Sequence, residues 1–407
     1  MGDTKLDDET SPPPKLYDPA APAFRKNPFP LLHRLREVDP IHRTSWGWIL
    51  SRYRDCAKVL ASREFGMRGI RDRLRAALGD GAAFEFISQR FQFMDPPEHA
   101  RIRSLTTKAF SARRVLDMRA RVQRLVDQLL DDVDSARGFD VIKAVAYPLP
   151  AWVISEMLGT PVEDRERLAA WTAPITRLQE PGPFDPTLLA AGDSAAAQFM
   201  EYVRGLIDDR RRRPGEDLLS ALIAAEESGD RLSLEELVAG VIFLFNAGHH
   251  TTRDLIGNAL VALLQRRDQW DLLVSEPSLI PDAVEECLRY DPSITRTPRF
   301  ALMDTELDGR KVAAGEPVTC LLNAANRDPE RFPEPDRLDV RRADKDHLAF
   351  GGGIHFCLGA TLARLETEVV LGSLLRRYPG LQLAADELEW RESITYRGPV
   401  TVPVKDT

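Results

Sequence analysis

Two short stretches hold residue types that can do chemistry. The first, FGGGIHFCLG (350–359), places Cys357 behind three consecutive glycines. Glycine lets a backbone turn tightly and approach a ligand closely. The residues beyond, ATLARLETEVVLGSLLRRY, follow a helical pattern, so Cys357 stands at or just before a helix N-terminus. Free N–H groups and the positive end of the dipole favour a thiolate there, and a thiolate on a glycine-rich turn suits a metal ligand. Pairing with His355 as a nucleophile is an alternative that leaves the glycine run unexplained. A phosphate loop lacks its Lys-Ser/Thr pair, and a buried inert cysteine is the plainest alternative. The second stretch, AGHHTTRDL (247–255), sits inside an apolar helical pattern. Burying polar groups without partners costs about 1–3 kcal/mol each, so these histidines and threonines need a reason to be there.

The elements that position these stretches are legible. SLEE sets Ser233 three residues before Glu236, a capping box that opens a helix. With no proline until Pro277, the helix runs from Leu234 to about Gln265, about 48 Å at about 1.5 Å per residue. Its LVAGVIFLF segment is apolar on every side, so the helix is expected to be buried all round and to cross the molecule. Further helices are expected over 114–133, over the stretch ending at Pro214, and in DAVEECLRY, which stops at Asp291-Pro292. Strand-like segments are scattered: GWILSRY, RFALMDTELDGRKVAAGEPVTCLL and TYRGPVTVPV. The expected fold class is mainly α with a smaller β region (α+β), without βαβ alternation. One domain is expected over 18–407, behind a mobile polar tail at 1–17.

Composition narrows the function. Acids outnumber bases 63 to 55, a net charge of −8, which argues against nucleic-acid binding. The four cysteines form no CxxC pair, so a disulfide framework is not expected and a cytoplasmic location is. The Pro-rich acidic N-terminus has no apolar core of a signal peptide, and no run reaches the length of a spanning helix, so no membrane anchor is expected.

Phe350, Gly351, Gly353, His355, Cys357 and Gly359 match FGxGxHxCxG, and by this the chain resembles the cytochrome P450 family. The resemblance runs from about residue 20 to 404 and implies that family's fold and its cofactor, heme b (haem b, iron protoporphyrin IX). It makes Cys357 the axial ligand, a thiolate that pushes electron density toward the iron, with Phe350 packed beside it. Glu286 and Arg289 in EECLR are similar to the family's structural ExxR pair. His99, Arg103, Arg299 and His355 take the places of groups that hold the haem propionates through charge-assisted bonds. In the long helix, Ala247 and Gly248 would leave room for dioxygen, O2, and Thr251 stands where a threonine hydroxyl helps deliver protons to it. His250 departs from the family's usual acid. With Asp254 one turn on, a His250–Asp254 pair is expected to replace that acid; the alternative is that His250 satisfies a neighbouring backbone group.

The resemblance further implies a monooxygenase of the soluble bacterial type that inserts one oxygen atom into a hydrophobic small molecule by C–H hydroxylation. NAD(P)H would supply electrons through a ferredoxin-type redox partner. Arg101, Lys108, Arg113, Arg114 and Arg364 are expected to form the basic patch that receives it. The pocket walls are expected from the 65–92 loop region, the 172–190 turn, Phe243 to Gly248, Ile294 to Thr297 and the turn near Ile394, with Phe243, Ile294, Thr297 and Ile394 lining it. Arg68, Arg71, Arg73 and Arg75 read as a solvated face, the alternative being that one of them binds a substrate carboxylate. The chain is expected to act as a monomer. Atypical chemistry on the same fold (peroxide-driven oxidation, desaturation or oxidative coupling) and a non-catalytic haem sensor are the alternatives.

Overall fold

The structure, a computed structural model, describes residues 16–134, 137–227 and 232–406. The expected tail therefore lies outside the described residues up to position 15. Tyr17 is buried with its ring edge-on to Phe24, 5.6 Å away.

The long helix spans Leu234–Leu264 and opens on the expected capping box: Ser233 accepts from the Glu236 N–H, and Glu236 accepts from the Ser233 N–H. It is buried along most of its length because helices surround it. Pro148–Leu158, Arg165–Arg177, Pro186–Arg212, Ile280–Tyr290 and Ala360–Arg377 all pack on it. Gly257 marks one close approach, since a Cβ there would lie 2.9 Å from both Ile142 and Pro399.

The β region is small and mixed. One sheet orders Ile41–Thr44, Gly47–Leu50, Pro317–Leu321, Arg296–Ala301 and Phe65–Gly66, with only the second and third strands parallel. A three-stranded sheet joins Phe139–Asp140, Pro403–Lys405 and Gln382–Leu383, and a hairpin joins Thr305–Leu307 to Arg310–Val312 through Asp308-Gly309, both at positive φ. Among the described residues no helix is long and apolar enough to cross a membrane.

Two expectations need correction. The single helix over 114–133 is two, Ala112–Asp117 and Arg119–Asp131, jointed at the buried Met118. Apolar spacing continues through such a joint, so periodicity cannot reveal it. TYRGPVTVPV is a strand only at its end. Its earlier part is held by isolated bridges, Ile294 to Tyr396 and Trp390 to Pro399.

Candidate functional site

Cys357 lies two residues before Gly359, the N-cap of Ala360–Arg377. The glycines ahead of it are required by conformation: Gly351 and Gly353 have φ of 71° and 63°, a region side chains disfavour. A Cβ on Gly353 would also meet the Leu60 carbonyl oxygen at 2.2 Å. Gly353 thus lets the loop approach the end of the Tyr53–Ala61 helix. The Cys357 N–H donates to the Phe350 carbonyl at 3.0 Å, closing the loop.

Burial raises the Cys357 thiol above its ordinary value, although the Gly359 N–H, the Arg103 and Arg364 guanidinium groups and the Ala360 N–H pull it down. The N–H groups at the helix start thus favour the thiolate, as expected, and a metal ion bound there would deprotonate the thiol outright. Cys357 is open on one side, whereas Cys56, Cys287 and Cys320 are buried.

Four cationic or titratable side chains converge beside this loop. The His99 and His355 rings lie 4.4 Å apart. Arg103 donates through Nη2 to the Phe356 carbonyl at 2.6 Å, and Arg299 through Nη1 to Pro298 O at 2.8 Å and Thr297 Oγ1 at 3.2 Å. His99 Nε2 and both ring nitrogens of His355 are buried without a hydrogen-bond partner. Burial, then Arg299, His99 and Arg103, hold His355 at about 3, and burial, then Arg103, lower His99. Such a cluster of donors suits carboxylates placed among them.

Glu286 and Arg289, read from sequence as an ExxR pair, form a buried fork-to-fork ion pair with both contacts at 2.8 Å. Arg289 also donates to the carbonyls of Asn326, Pro335 and Arg337, and Glu286 accepts from the Asp339 N–H and Arg342. The pair ties Ile280–Tyr290 to the irregular 326–342 segment that leads to the cysteine loop.

On the long helix, Thr251 donates to the Ala247 carbonyl at 2.7 Å. A Cβ built on Gly248 meets nothing within 4 Å, so the helix surface is open there. The expected His250–Asp254 pair is not formed. Asp254 is fully buried and accepts from Arg253 Nη1 and, at 2.6 Å, from Arg391 Nη1. It clamps the C-terminal segment, where a Cβ on Gly398 would lie 2.4 Å from its Oδ1. His250 turns instead to Thr172, its Nε2 lying 3.0 Å from that hydroxyl, which is also 3.1 Å from His249 Nδ1. His249 Nε2 faces the Tyr147 carbonyl at 3.0 Å. A carbonyl only accepts, so His249 carries its proton on Nε2. The tautomer that best satisfies the rest has His250 Nε2–H donating to Thr172.

Both rings are neutral near pH 7. Burial holds His249 at about 4, and burial and then His249 push His250 well below its ordinary value. A histidine depressed by burial stabilises the fold above its unfolded value near 6.5, and that stability is lost as pH falls through its folded value. The protein is therefore expected to lose on the order of 3 kcal/mol between pH ~6.5 and ~4 from His249 alone. Thermal melts across that range should show a smaller acid loss in His249→Gln than in the wild type; equal losses contradict the assignment.

The expected pocket residues come together only in part. Ile294 and Ile394 lie on adjoining segments, linked by the Thr295 N–H to the Thr395 carbonyl at 2.9 Å. Thr297 pairs with Cys320 in the sheet, and Phe243 packs edge-on to Phe91 at 5.1 Å. A polar chain that sequence reasoning missed runs beside them: Tyr396 donates to Gln179 Oε1, Gln179 to Asn246 Oδ1, and Asn246 to Thr176 Oγ1, at 2.9, 2.7 and 2.9 Å. Asn246, a lone amide ending an apolar run, was its only sequence signal. A separate cleft of about 550 Å³, lined by Asn258, Gln265, Arg327 and Leu388 among others, contains none of the site residues.

The expected basic patch is reduced. Arg101 is paired with Glu236, and Arg364 with Glu285 at 2.5 Å while its guanidinium lies over Phe350. The Lys108 side chain lies outside the described residues. Arg113 and Arg114 are exposed on Ala112–Asp117, which packs on the helix following Cys357. Arg68, Arg71, Arg73 and Arg75 are exposed as expected.

Comparison with known proteins gives one family. The family model described as Cytochrome P450 matches residues 66–386. The chain is 36% identical over 404 residues to the polyketide biosynthesis cytochrome P450 PksS of Bacillus subtilis (strain 168), covering 96% of this chain and 98% of the relative. It is 38% identical over 396 residues to the vitamin D(3) 25-hydroxylase of Pseudonocardia autotrophica, covering 95% and 96%. The crystal structure of CalO2 superposes with a TM-score of 0.91 at 35% identity, covering 96% and 98%. Haem b is the cofactor of that family, and the residues here fit it. Cys357 offers one open thiol, and the unpartnered nitrogens of His99 and His355, with Arg103 and Arg299, suit two propionates.

Proposed function

The chain belongs to the cytochrome P450 family of oxygen-incorporating oxidoreductases, and we propose that it hydroxylates C–H bonds of a hydrophobic small organic molecule using electrons from NAD(P)H relayed by a ferredoxin-type protein in the cytoplasm. The observation that carries this reading is the Thr251–Ala247 hydrogen bond beside the open surface at Gly248. It places a hydroxyl and free space together on the long helix, one turn from the apolar 243–245 stretch. The vitamin D(3) 25-hydroxylase relative supports both the reaction type and an apolar substrate.

In this reading Cys357 holds the iron and His99, Arg103, Arg299 and His355 hold the propionates. When bound, the haem supplies the redox chemistry that activates dioxygen. Thr251 holds a proton at Oγ1, oriented by the Ala247 carbonyl. Phe243, Ile294, Thr297 and Ile394 exclude water and orient the substrate. His250 is a positioning residue: its Nε2–H fixes Thr172, and through it the Arg165–Arg177 helix, against the long helix. Asp254 holds the 391–400 segment in place.

One observation favours a second reading, oxidation driven by peroxide: a neutral imidazole stands where the family usually has an acid. Apolar molecules that shift the haem band supply the substrates for the deciding assay. Hydroxylation that depends on NAD(P)H, ferredoxin and ferredoxin reductase supports the first reading. Turnover with peroxide alone, and none with the electron-transfer proteins, overturns it.

Arg113 and Arg114, with the neighbouring Leu116, 55% exposed, form the proposed docking face for the acidic electron donor. Arg113→Glu with Arg114→Glu is expected to slow electron transfer about tenfold or more at low salt, with the difference shrinking at high salt. An unchanged rate at low salt sinks this assignment.

A further inference from the structure

One buried cation takes no part in the roles above. Arg90 is 1% exposed, and its Nε, Nη1 and Nη2 all lack a hydrogen-bond partner. Its guanidinium lies over the Phe86 ring at 4.4 Å and 5.6 Å from that of Phe243. Those rings give it some attraction but accept none of its five N–H donors. A buried ion without a hydrogen-bonded partner is strongly unfavourable, so its presence calls for an anion that completes it.

Its position says which anion. Phe243 is one helical turn before Ala247, so Arg90 lies on the substrate side of the long helix. It makes no hydrogen bond to the propionate cluster, and the neighbouring Phe91 ring stands between, 5.1 Å from the Phe243 ring and 6.1 Å from that of His99. Among the described residues, the titratable group that acts on Arg90 is the Tyr396 phenol, which already donates to Gln179 and is held neutral by burial. Burial lowers Arg90 only to about 9, so it remains a cation at neutral pH.

We infer that Arg90 anchors a carboxylate of the substrate, so that the molecule oxidised here is an apolar acid. The planar guanidinium fork matches a carboxylate with two parallel hydrogen bonds. Phe86, Phe91 and Phe243 around it suit the hydrocarbon that follows. This rests on the reading that the substrate lies against Phe243 and Ile394, and it makes Arg90 the residue that selects among apolar molecules by charge.

The test uses the haem-loaded protein, dodecanoic acid and its neutral counterpart methyl dodecanoate, with binding read from the shift of the haem band near neutral pH. The thiolate signature of the sample is recorded first. Its absence defeats the underlying reading, whereas its presence without an acid preference defeats this inference alone. The wild type is expected to bind the acid about tenfold or more tightly than the ester. In Arg90→Met the preference should vanish, with the acid weakened about 30-fold and the ester changed less than about threefold. Arg90→Lys should keep part of the preference. Without ligand, Arg90→Met should melt ~2–4 °C higher, because it removes a buried unpaired charge. A purely structural arginine would move it the other way. Equal affinity of the wild type for acid and ester, or a preference that survives in Arg90→Met, overturns the inference.

Discussion

Cys357→Ser is expected to lower oxygen insertion on the order of 10³-fold or more while leaving the fold intact. The loop is held by backbone: the Cys357 N–H bonds to Phe350 O, and Gly351 and Gly353 adopt their positive φ whatever follows them. Serine preserves those contacts and removes the sulfur. A serine hydroxyl is a far weaker electron donor than a thiolate, whose push favours O–O cleavage. A factor of 10³ corresponds to about 4 kcal/mol of barrier. Circular dichroism and turnover measured on the same preparation check this; near wild-type turnover in a folded Cys357→Ser contradicts the ligand assignment.

The second large effect falls on stability. Arg289→Leu or Glu286→Leu alone is expected to cost about 3–5 kcal/mol, because each leaves the other charge buried without its partner. The cost extends beyond the pair, since Arg289 also holds three carbonyls of the 326–342 segment and Glu286 holds the Asp339 N–H. The Glu286→Leu/Arg289→Leu double variant should recover part of the loss. It removes both charges but strands the backbone groups they served, so recovery will be incomplete. Denaturation of the four proteins forms the cycle, and single variants within about 1 kcal/mol of the wild type would show that the pair does not hold the segment.

What could be read from the chain depended on whether partners are local. The Ser233–Glu236 box opens the long helix as expected because both halves lie within one turn. The cysteine loop was legible for a similar reason: its glycines, His355 and Cys357 sit within ten residues. Glu286 and Arg289 were found by their i,i+3 spacing, although their burial was not evident from it. His250 and Asp254 share a helical face by spacing, yet both are buried against neighbouring elements and each finds a partner there, Thr172 in one case and Arg391 in the other. The same limit explains Arg364, a cation in a basic-looking set that is taken by Glu285 from another helix. Arg90 carried no signal of its own beyond lying in the 65–92 region expected to wall the pocket. In ISQRFQF it reads as an ordinary polar residue of a connecting segment, and only its burial without an acceptor marks it.

Every role assigned around the haem requires Cys357 to bind its iron as a thiolate. The most direct measurement is the reduced, carbon-monoxide difference spectrum of the haem-loaded protein, recorded beside Cys357→Ser. The strongly red-shifted band of a cysteinate-ligated haem is expected in the wild type and lost in the variant. A wild-type band at the position of an imidazole-ligated haem, or one that Cys357→Ser leaves in place, would contradict the account.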